Sequence, residues 1–256
     1  MNRHEEFAVG DRPAASIEIR SGALEVRTGS NRRVRISLDG PDVDQWDITQ
    51  LGDSVSVEPP SRGGWRSRST RVLVEVPVGA DVDVRSASAD ITLSGEFGAT
   101  RIKSASGDVR VGSVTRLDID TASGDASATE VAAVTSCSTA SGDVELGRVG
   151  GRLTVTTASG DVRVTEADDD VEIGSASGDV RVDRCGGSNI AVKTISGDVI
   201  VGLPSGIRVE PDITTLSGRT QLPEPAPGAS TEPRRVVRLG LKTVSGDITI
   251  RRIDRP

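Results

Sequence analysis

The clearest pattern in the sequence is a block of alternating apolar and polar residues that ends at a bend and then repeats. Each block reads Thr or Ser, any residue, Ser, Gly, Asp and an apolar residue, with few departures. The serine before the glycine position recurs about every 18 residues, and its positions are Ser88, Ser106, Ser123, Ser141, Ser159, Ser177, Ser196, Ser217 and Ser245. This spacing predicts one structural unit repeated about nine times.

Aligning the repeats on that serine reveals apolar columns on both sides of the bend. Val155 stands four residues before one such serine, and Val162 and Val164 stand three and five residues after it. The residues between them are polar or charged, and this period-two alternation is typical of strands. Each unit is therefore predicted to be a strand, a sharp bend and a second strand. A third inward column, eight residues after the serine, holds Val114, Val131, Val149, Ala167, Cys185 and Ile253.

Short strands that each bury one face must stack on copies of themselves, because nothing in the repeats has the pattern of a useful helix. The predicted fold class is therefore all-β, a single-stranded β-helix or β-solenoid with parallel in-register ladders. Glycine at the bend supplies an unusual backbone conformation, and the aspartate after it accepts local backbone N–H bonds. We expect structural corner roles for Asp90, Asp108, Asp125, Asp143, Asp161, Asp179, Asp198 and Asp247.

Residues 1–79 follow a looser pattern and are predicted to form an irregular β-rich cap, with the solenoid proper over residues 80–256. Ile17 and Ile19, followed by Ser21 and Gly22, look like a degenerate repeat. The Pro-rich segment 222–235 accounts for the longest gap and is predicted to be a loop insertion. The strand-like runs of the cap are 16–20, 23–27, 33–38, 53–58 and 71–76.

Two further columns make predictions about the interior. A hydroxyl stands two residues before every bend serine, as at Thr139 and Thr157, and shares parity with the apolar columns. We expect these hydroxyls to point inward and bond along an internal ladder, which argues against an ice-binding face. Cys137 and Cys185 occupy different apolar columns about two turns apart, so we predict two buried thiols and no disulfide.

Composition excludes most catalytic schemes. The chain has one histidine, His4, so a Ser-His-Asp triad or a two-histidine metal site has almost nothing to be built from. The Asp column could bind calcium, but in calcium-binding β-rolls the apolar residue lies two positions after the Asp, whereas here it lies one and three positions after. Arginines such as Arg110, Arg163 and Arg181 are expected to compensate the column. No catalytic residue, cofactor or metal ligand is predicted.

One loop is the best candidate for contact with a partner. Residues 61–71 contain four arginines, one tryptophan and no acid, in a chain whose net charge is −7. Arginine beside an aromatic ring can bind an acidic partner or a phosphate by charge and stacking. We therefore name Arg62, Trp65, Arg66 and Arg68 as possible contacts. The overall charge disfavours specific nucleic-acid binding. The acidic run of Glu166, Asp168, Asp169 and Asp170 is expected to be a solvated loop.

The run Val74–Val84 followed by Ser-Gly-Asp-Val repeats resembles a bacterial β-strand-repeat family of unknown function whose members are labelled as adhesins. The resemblance covers roughly residues 70–256. It implies a β-helix-like fold and a possible association with the cell surface or envelope stress. It implies no catalytic residues.

Together these observations predict a non-enzymatic repeat protein, an adhesin-like scaffold or a protein-binding module that presents solenoid faces to a protein or glycan partner. The alternatives are a carbohydrate-active β-helix enzyme and a calcium-dependent assembly protein. End-to-end self-association is possible because the terminal rung of a solenoid is a strand edge. The N-terminal residues carry acids and no apolar core, and no segment is apolar enough to span a membrane, so the predicted location is the cytoplasm.

Overall fold

The alternating blocks of the sequence fold as strands throughout the computed structural model, which describes residues 2–29, 32–60, 69–223 and 236–253. Within these ranges the only helix is a single 3-10 turn at Val43–Gln45. The chain divides into two compact units, residues 1–129 and 130–256. Both contain parallel strands stacked in register, so the predicted all-β solenoid fold is confirmed.

The strands that begin in the first unit are β1 (Asn2–Ala8), β2 (Ala14–Gly29), β3 (Arg33–Asp39), β4 (Asp47–Leu51), β5 (Ser54–Glu58), β6 (Thr70–Pro77), β7 (Asp81–Ser106), β8 (Val109–Ser123) and β9 (Ala126–Val131). The long strand β2 pairs in parallel with the first part of β7. Their register sets Ser21 beside Ser88 and Gly22 beside Ala89. The degenerate repeat predicted at this point is therefore a true rung of the solenoid.

The first residues of the chain switch the sheet from parallel to antiparallel pairing. β5 and β6 each run parallel to β2, whereas β4 is antiparallel to β5 and β3 is antiparallel to β6. β1 then pairs antiparallel with β3. Four of the five strand-like runs predicted in residues 1–79 fall within strands, and the fifth, 53–58, begins one residue before β5. Among the described residues, β1 and β4 each pair with a single neighbour and form sheet edges.

The strands of the second unit are β10 (Thr135–Ser141), β11 (Val144–Val149), β12 (Leu153–Ser159), β13 (Val162–Ala167), β14 (Val171–Ser177), β15 (Val180–Cys185), β16 (Asn189–Lys193), β17 (Val199–Pro204), β18 (Arg208–Ser217), β19 (Thr220–Gln221), β20 (Val236–Ser245) and β21 (Ile248–Ile253). Strands before the bend stack on one another in parallel, from β10 through β12 and β14 to β16. Strands after the bend stack likewise, from β11 through β13 and β15 to β17.

The rungs at the C-terminal end do not follow chain order. β16 pairs with β20, and β20 pairs with β18 on its other side. β17 pairs in the same way with β21, which pairs with β19. The last repeat of the sequence therefore lies between the seventh and the eighth. Of the predicted loop insertion 222–235, residues 224–235 lie outside the described part of the chain.

The predicted apolar columns form the core. Val155, Val162 and Val164 are buried, and the third column is buried from Val114 to Cys185. Both cysteines are buried thiols and neither forms a disulfide, as predicted. The narrow interior is filled by aliphatic side chains in a space that has little room for rings.

Candidate functional site

The bend between the two strands of a rung is fixed by glycine in every repeat except the first, which has Ala89. Gly160 adopts a φ of 129°, a left-handed conformation that favours glycine. A Cβ on this residue would lie 2.2 Å from the carbonyl oxygen of Gly142 in the neighbouring rung. The positive φ and the close approach of the neighbouring rung thus both require glycine at this position. The residues on either side of the glycine bend therefore point outward in the same direction in successive rungs.

The hydroxyl column points inward, as predicted, but the predicted rung-to-rung bonding is seen at Thr215, which donates to the carbonyl of Gly246 in the adjacent rung at 3.2 Å, and does not run along the whole column. Thr157 Oγ1 donates to the carbonyl of Ser159 at 3.2 Å, and Thr121 Oγ1 donates to that of Ser123 at 3.1 Å. Each of these bonds therefore closes the bend of its own rung. The expectation of rung-to-rung bonding was wrong for these residues because the carbonyl two positions along lies within reach of a short side chain.

The aspartates after the bend bond from rung to rung through the backbone. The N–H of Asp179 donates to Asp161 Oδ1 at 2.8 Å, and the N–H of Asp198 donates in turn to Asp179 Oδ1 at 2.8 Å. Asp247 continues the series on Asp198 at the same distance. The N–H of Arg219, which replaces Asp in the outermost rung, donates to Asp247 Oδ1. One oxygen of each accepting carboxylate is therefore occupied by its neighbour.

Three arginines were predicted to offset the negative charge of the aspartate column, and only one of them pairs with it. Arg110 donates to Asp108 Oδ2 at 2.9 Å. Arg181 pairs instead with Asp183, two residues beyond it on the same face of β15. Within the described residues Arg163 forms no ion pair with the column. The backbone N–H bonds satisfy the corner carboxylates where arginine does not.

The acidic run after β13 is an ion-paired turn. Arg148 contacts Asp168 at 2.9 Å, and the pKa of its guanidinium is raised above the ordinary value by the hydrogen bond and charge of that carboxylate. Asp170 Oδ1 accepts the N–H of Asn189 at 2.9 Å. The run therefore connects neighbouring rungs, in addition to lying at the surface as expected.

An outward column beside the bend changes character in the last three rungs. The residue just before the bend serine is alanine in six repeats, namely Ala87, Ala105, Ala122, Ala140, Ala158 and Ala176. In the remaining three it is Ile195, Val244 and Leu216, which are 58%, 46% and 78% exposed. The serines that follow them pair in consecutive rungs, so the three side chains stack over about 10 Å of the surface.

Basic residues accompany this apolar stripe. Lys193 and Lys242 lie two positions before Ile195 and Val244 and are paired in register on adjacent rungs. Lys242 Nζ also lies 3.1 Å from Asp212 Oδ2 of the outermost rung. We call Lys193, Ile195, Leu216, Lys242 and Val244 the terminal patch.

The charge of the second unit reverses at the same place. Residues 135–188 carry ten acidic and five basic side chains, whereas 189–221 and 236–253 together carry four acidic and seven basic ones. Large apolar side chains are not exposed in 135–188 among the described residues. An apolar and basic surface on an acidic chain is the arrangement expected of a contact with an acidic partner.

The patch adjoins a strand edge. Within the described ranges β18 pairs only with β20 and β19 only with β21. One side of the outermost rung therefore has no strand partner there. Its inward residues Val209, Ile213 and Thr215 are only partly covered. Exposed edges and partly covered core residues are both features that a docking protein chain can bury.

The contact residues predicted from the sequence, Arg62, Trp65, Arg66 and Arg68, lie outside the described part of the chain. The terminal patch was missed in that reading, although its signal is present in the sequence. Aligning the residue before the bend serine shows alanine giving way to isoleucine, leucine and valine. The prediction rested on the inward columns, which define the fold, and did not use this outward column.

In the described residues, no group of three or more His, Cys, Asp or Glu side chains is arranged to hold a metal ion. No helix of the described chain is long and apolar enough to cross a membrane.

The model of the Toastrack DUF4097 family matches residues 14–251, from the first solenoid rung to the last. The chain belongs to the Toastrack DUF4097 family. This agrees with the resemblance to adhesin-labelled repeat proteins noted from the sequence. No curated protein matches the chain at a significant level.

Several solved structures are similar to this Toastrack chain. A candidate lipid-binding protein from Parabacteroides distasonis is 13% identical with a TM-score of 0.46, and covers 98% of this chain and 96% of its own. A candidate adhesin from Parabacteroides merdae is 11% identical with a TM-score of 0.41, over 98% and 96% of the two chains. A candidate adhesin from Bacteroides fragilis is 10% identical with a TM-score of 0.39, over 99% and 97%. None of these names refers to a catalysed reaction.

Proposed function

We propose that this Toastrack protein is a non-enzymatic binding module whose solenoid holds a contact surface for a protein partner, and that the terminal patch is that surface. The observation that carries the proposal is the replacement of alanine by Ile195, Val244 and Leu216 in three stacked rungs. These side chains point away from the core, so the fold does not require them to be large. Their exposure to water is unfavourable in free energy, and a bound partner removes this cost by burying them.

The chemistry of the partner follows from the residues around the stripe. Lys193 and Lys242 favour an acidic neighbour, and the stripe favours an apolar one. A glycan would instead call for exposed aromatic rings, and neither tryptophan is among the terminal patch residues. The partner is therefore a protein with an acidic, apolar surface, in the cytoplasm or at the envelope.

The arginine loop is retained as a second contact within the same function. Arg62, Trp65, Arg66 and Arg68 supply charge and one aromatic ring within the sequence of the predicted cap region. Their chemistry suits the same acidic class of partner. The proposal assigns primary binding to the terminal patch, and the loop adds affinity.

An affinity pull-down from the host, with cytosolic and envelope fractions processed separately, tests this function. The informative variant is Ile195→Ala/Leu216→Ala/Val244→Ala, because alanine is the residue that the other six repeats carry in this column. We expect a reproducible partner on the wild type and its loss on this variant. Replacement of the four loop residues should reduce capture without abolishing it.

The matched control is Val134→Ala, which removes an exposed apolar side chain elsewhere in the second unit. It should leave capture unchanged. Equal capture by the wild type and the triple variant would contradict the proposal. A calcium-dependent rise in melting temperature would instead favour cation-dependent assembly, and hydrolysis in a glycan activity screen would favour a carbohydrate-active enzyme.

A further inference from the structure

We propose that a second copy of this chain is a partner of the terminal patch, and that it docks through the acidic edge around β4. This inference rests on the proposed function, since it uses the same patch. It adds the identity of the occupant and a second surface to match it.

The β4 edge is acidic, whereas the terminal patch is basic. Residues 39–58, which include β4 and β5, carry six acidic side chains and no basic one. Leu51, at the end of β4, is 87% exposed, more than any other large apolar residue described. The open side of β4 therefore combines negative charge with an apolar side chain beside free strand backbone.

Five of these six acidic residues are exposed to solvent, among them Asp42, Asp44 and Asp47. Asp53 differs, because it accepts the backbone N–H groups of Gly10 and Arg12 and so holds the β4–β5 turn against the N-terminal segment. The nearby Arg3 donates to the carbonyl of Trp46 and pairs with Glu5. The segment thus keeps its negative surface.

The two edges complement each other in three respects. One surface is basic and the other acidic, each exposes a leucine as its most prominent side chain, and each adjoins a strand with an open side. Pairing Leu216 with Leu51 would bury the two most exposed large apolar residues described in the chain. Strand addition would satisfy backbone groups on both edges.

Charge also opposes the wrong pairings. Two β4 edges repel each other through their carboxylates, and two terminal patches repel through their lysines. The contact is therefore heterologous, with different surfaces on the two copies. This asymmetry distinguishes the proposal from a two-fold dimer and makes it testable by mixing.

Sedimentation velocity on the full chain at low ionic strength tests the proposal with two variants. Leu216→Asp blocks the terminal patch, and Leu51→Lys blocks the β4 edge. Both positions are exposed, so both variants should fold, which circular dichroism and thermal unfolding would check. We expect concentration-dependent association of the wild type that weakens with salt, because screening shortens the range of the attraction to about 10 Å at 0.1 M. Each variant alone should associate at least about tenfold more weakly.

The decisive arm mixes the two variants. Leu216→Asp retains an intact β4 edge and Leu51→Lys retains an intact patch, so the mixture should form a one-to-one dimer that grows no further. A wild type that stays monomeric, or a mixture that does not dimerise while either variant self-associates, would overturn the inference. If the wild type is monomeric yet captures a host protein through the terminal patch, the proposed function stands and only the second copy is excluded.

Discussion

Two stretches of the second unit share one interior and differ at the surface. Residues 135–188 and two of the three C-terminal rungs bury the same aliphatic columns around the same Ser-Gly-Asp bend, whereas the outermost rung has Arg219 in place of the aspartate and leaves Val209 and Ile213 half-buried. The first stretch is acidic outside and shows alanine beside the bend. The second is basic and shows Ile195, Val244 and Leu216 there. The fold therefore does not dictate which residues occupy the outward columns. We attribute the change of residue type in these columns to a difference in what each surface contacts.

The same comparison separates stability from binding. Bends, core columns and the Asp series recur in both stretches, so they account for folding. The terminal patch occurs in one stretch only, and under the proposed function we assign it to recognition. The predictions below test this division, beginning with the changes that should affect both stretches alike.

The largest effect is expected at the bend glycines. Gly160→Ala and Gly197→Ala should each lower the free energy of unfolding by about 3 kcal/mol, because both residues have left-handed φ values and a new Cβ would lie 2.2 Å from a neighbouring carbonyl oxygen. Gly206→Ala is the control, since its φ is also positive but nothing lies within 4 Å. Urea unfolding measures the three. A much smaller loss at Gly197 than at Gly160 would break the claim of a shared interior.

Core truncation should follow closely. Leu153→Ala in the acidic stretch and Leu239→Ala in the terminal rungs should each cost about 3 kcal/mol, because both side chains are almost wholly buried. Leu216→Ala should change stability by less than about 0.5 kcal/mol, because that side chain is exposed. Chemical unfolding of the three variants distinguishes core side chains from surface side chains. A cost at Leu216 as large as at Leu239 would assign it to the core and remove it from the patch.

A smaller effect is expected along the Asp series. Asp161→Ala removes the acceptor for the N–H of Asp179 and should cost about 1 kcal/mol. Asp161→Asn keeps an amide oxygen at the same place and should recover most of that stability. Thermal unfolding distinguishes the two. If asparagine is as damaging as alanine, the carboxylate acts through its charge, and the backbone bond is the wrong explanation.

The smallest effect is expected at the surface ion pairs of the acidic stretch. Arg148→Gln should lower the melting temperature slightly in low salt and not at all in high salt, because the pair with Asp168 is solvent-exposed and screened. The pKa of Arg148 lies above its ordinary value because of the hydrogen bond and charge of Asp168, so the guanidinium stays charged around neutral pH. A salt-independent loss would mean that the side chain acts by packing.

Sequence periodicity predicted the interior well because burial imposes it residue by residue. The strand positions, the buried thiols and even the degenerate rung at Ser21 and Gly22 follow from which residues must face inward. The order of the last rungs does not follow, because parallel repeats with equivalent columns can stack in either order. The hydroxyl bonds were also missed, since parity tells where Thr157 points and not which carbonyl it reaches.

The terminal patch illustrates a different gap. Its residues were visible in the alignment of repeats, but exposure and stacking on adjacent rungs gave them meaning only in the structure. Val244 lies between Ile195 and Leu216 because the last repeat is inserted between its two predecessors. No spacing argument brings those three together in that order.

Site-specific photo-crosslinking tests the central claim most directly. A photoreactive amino acid at Leu216 or Val244 in the terminal patch is compared with the same residue at Ala158, which occupies the equivalent exposed column in the acidic stretch. We predict covalent capture of protein from the terminal positions, with a second copy of this chain among the products by mass, and none from position 158. Equal crosslinking at all three positions, or none at 216 and 244, would contradict the account.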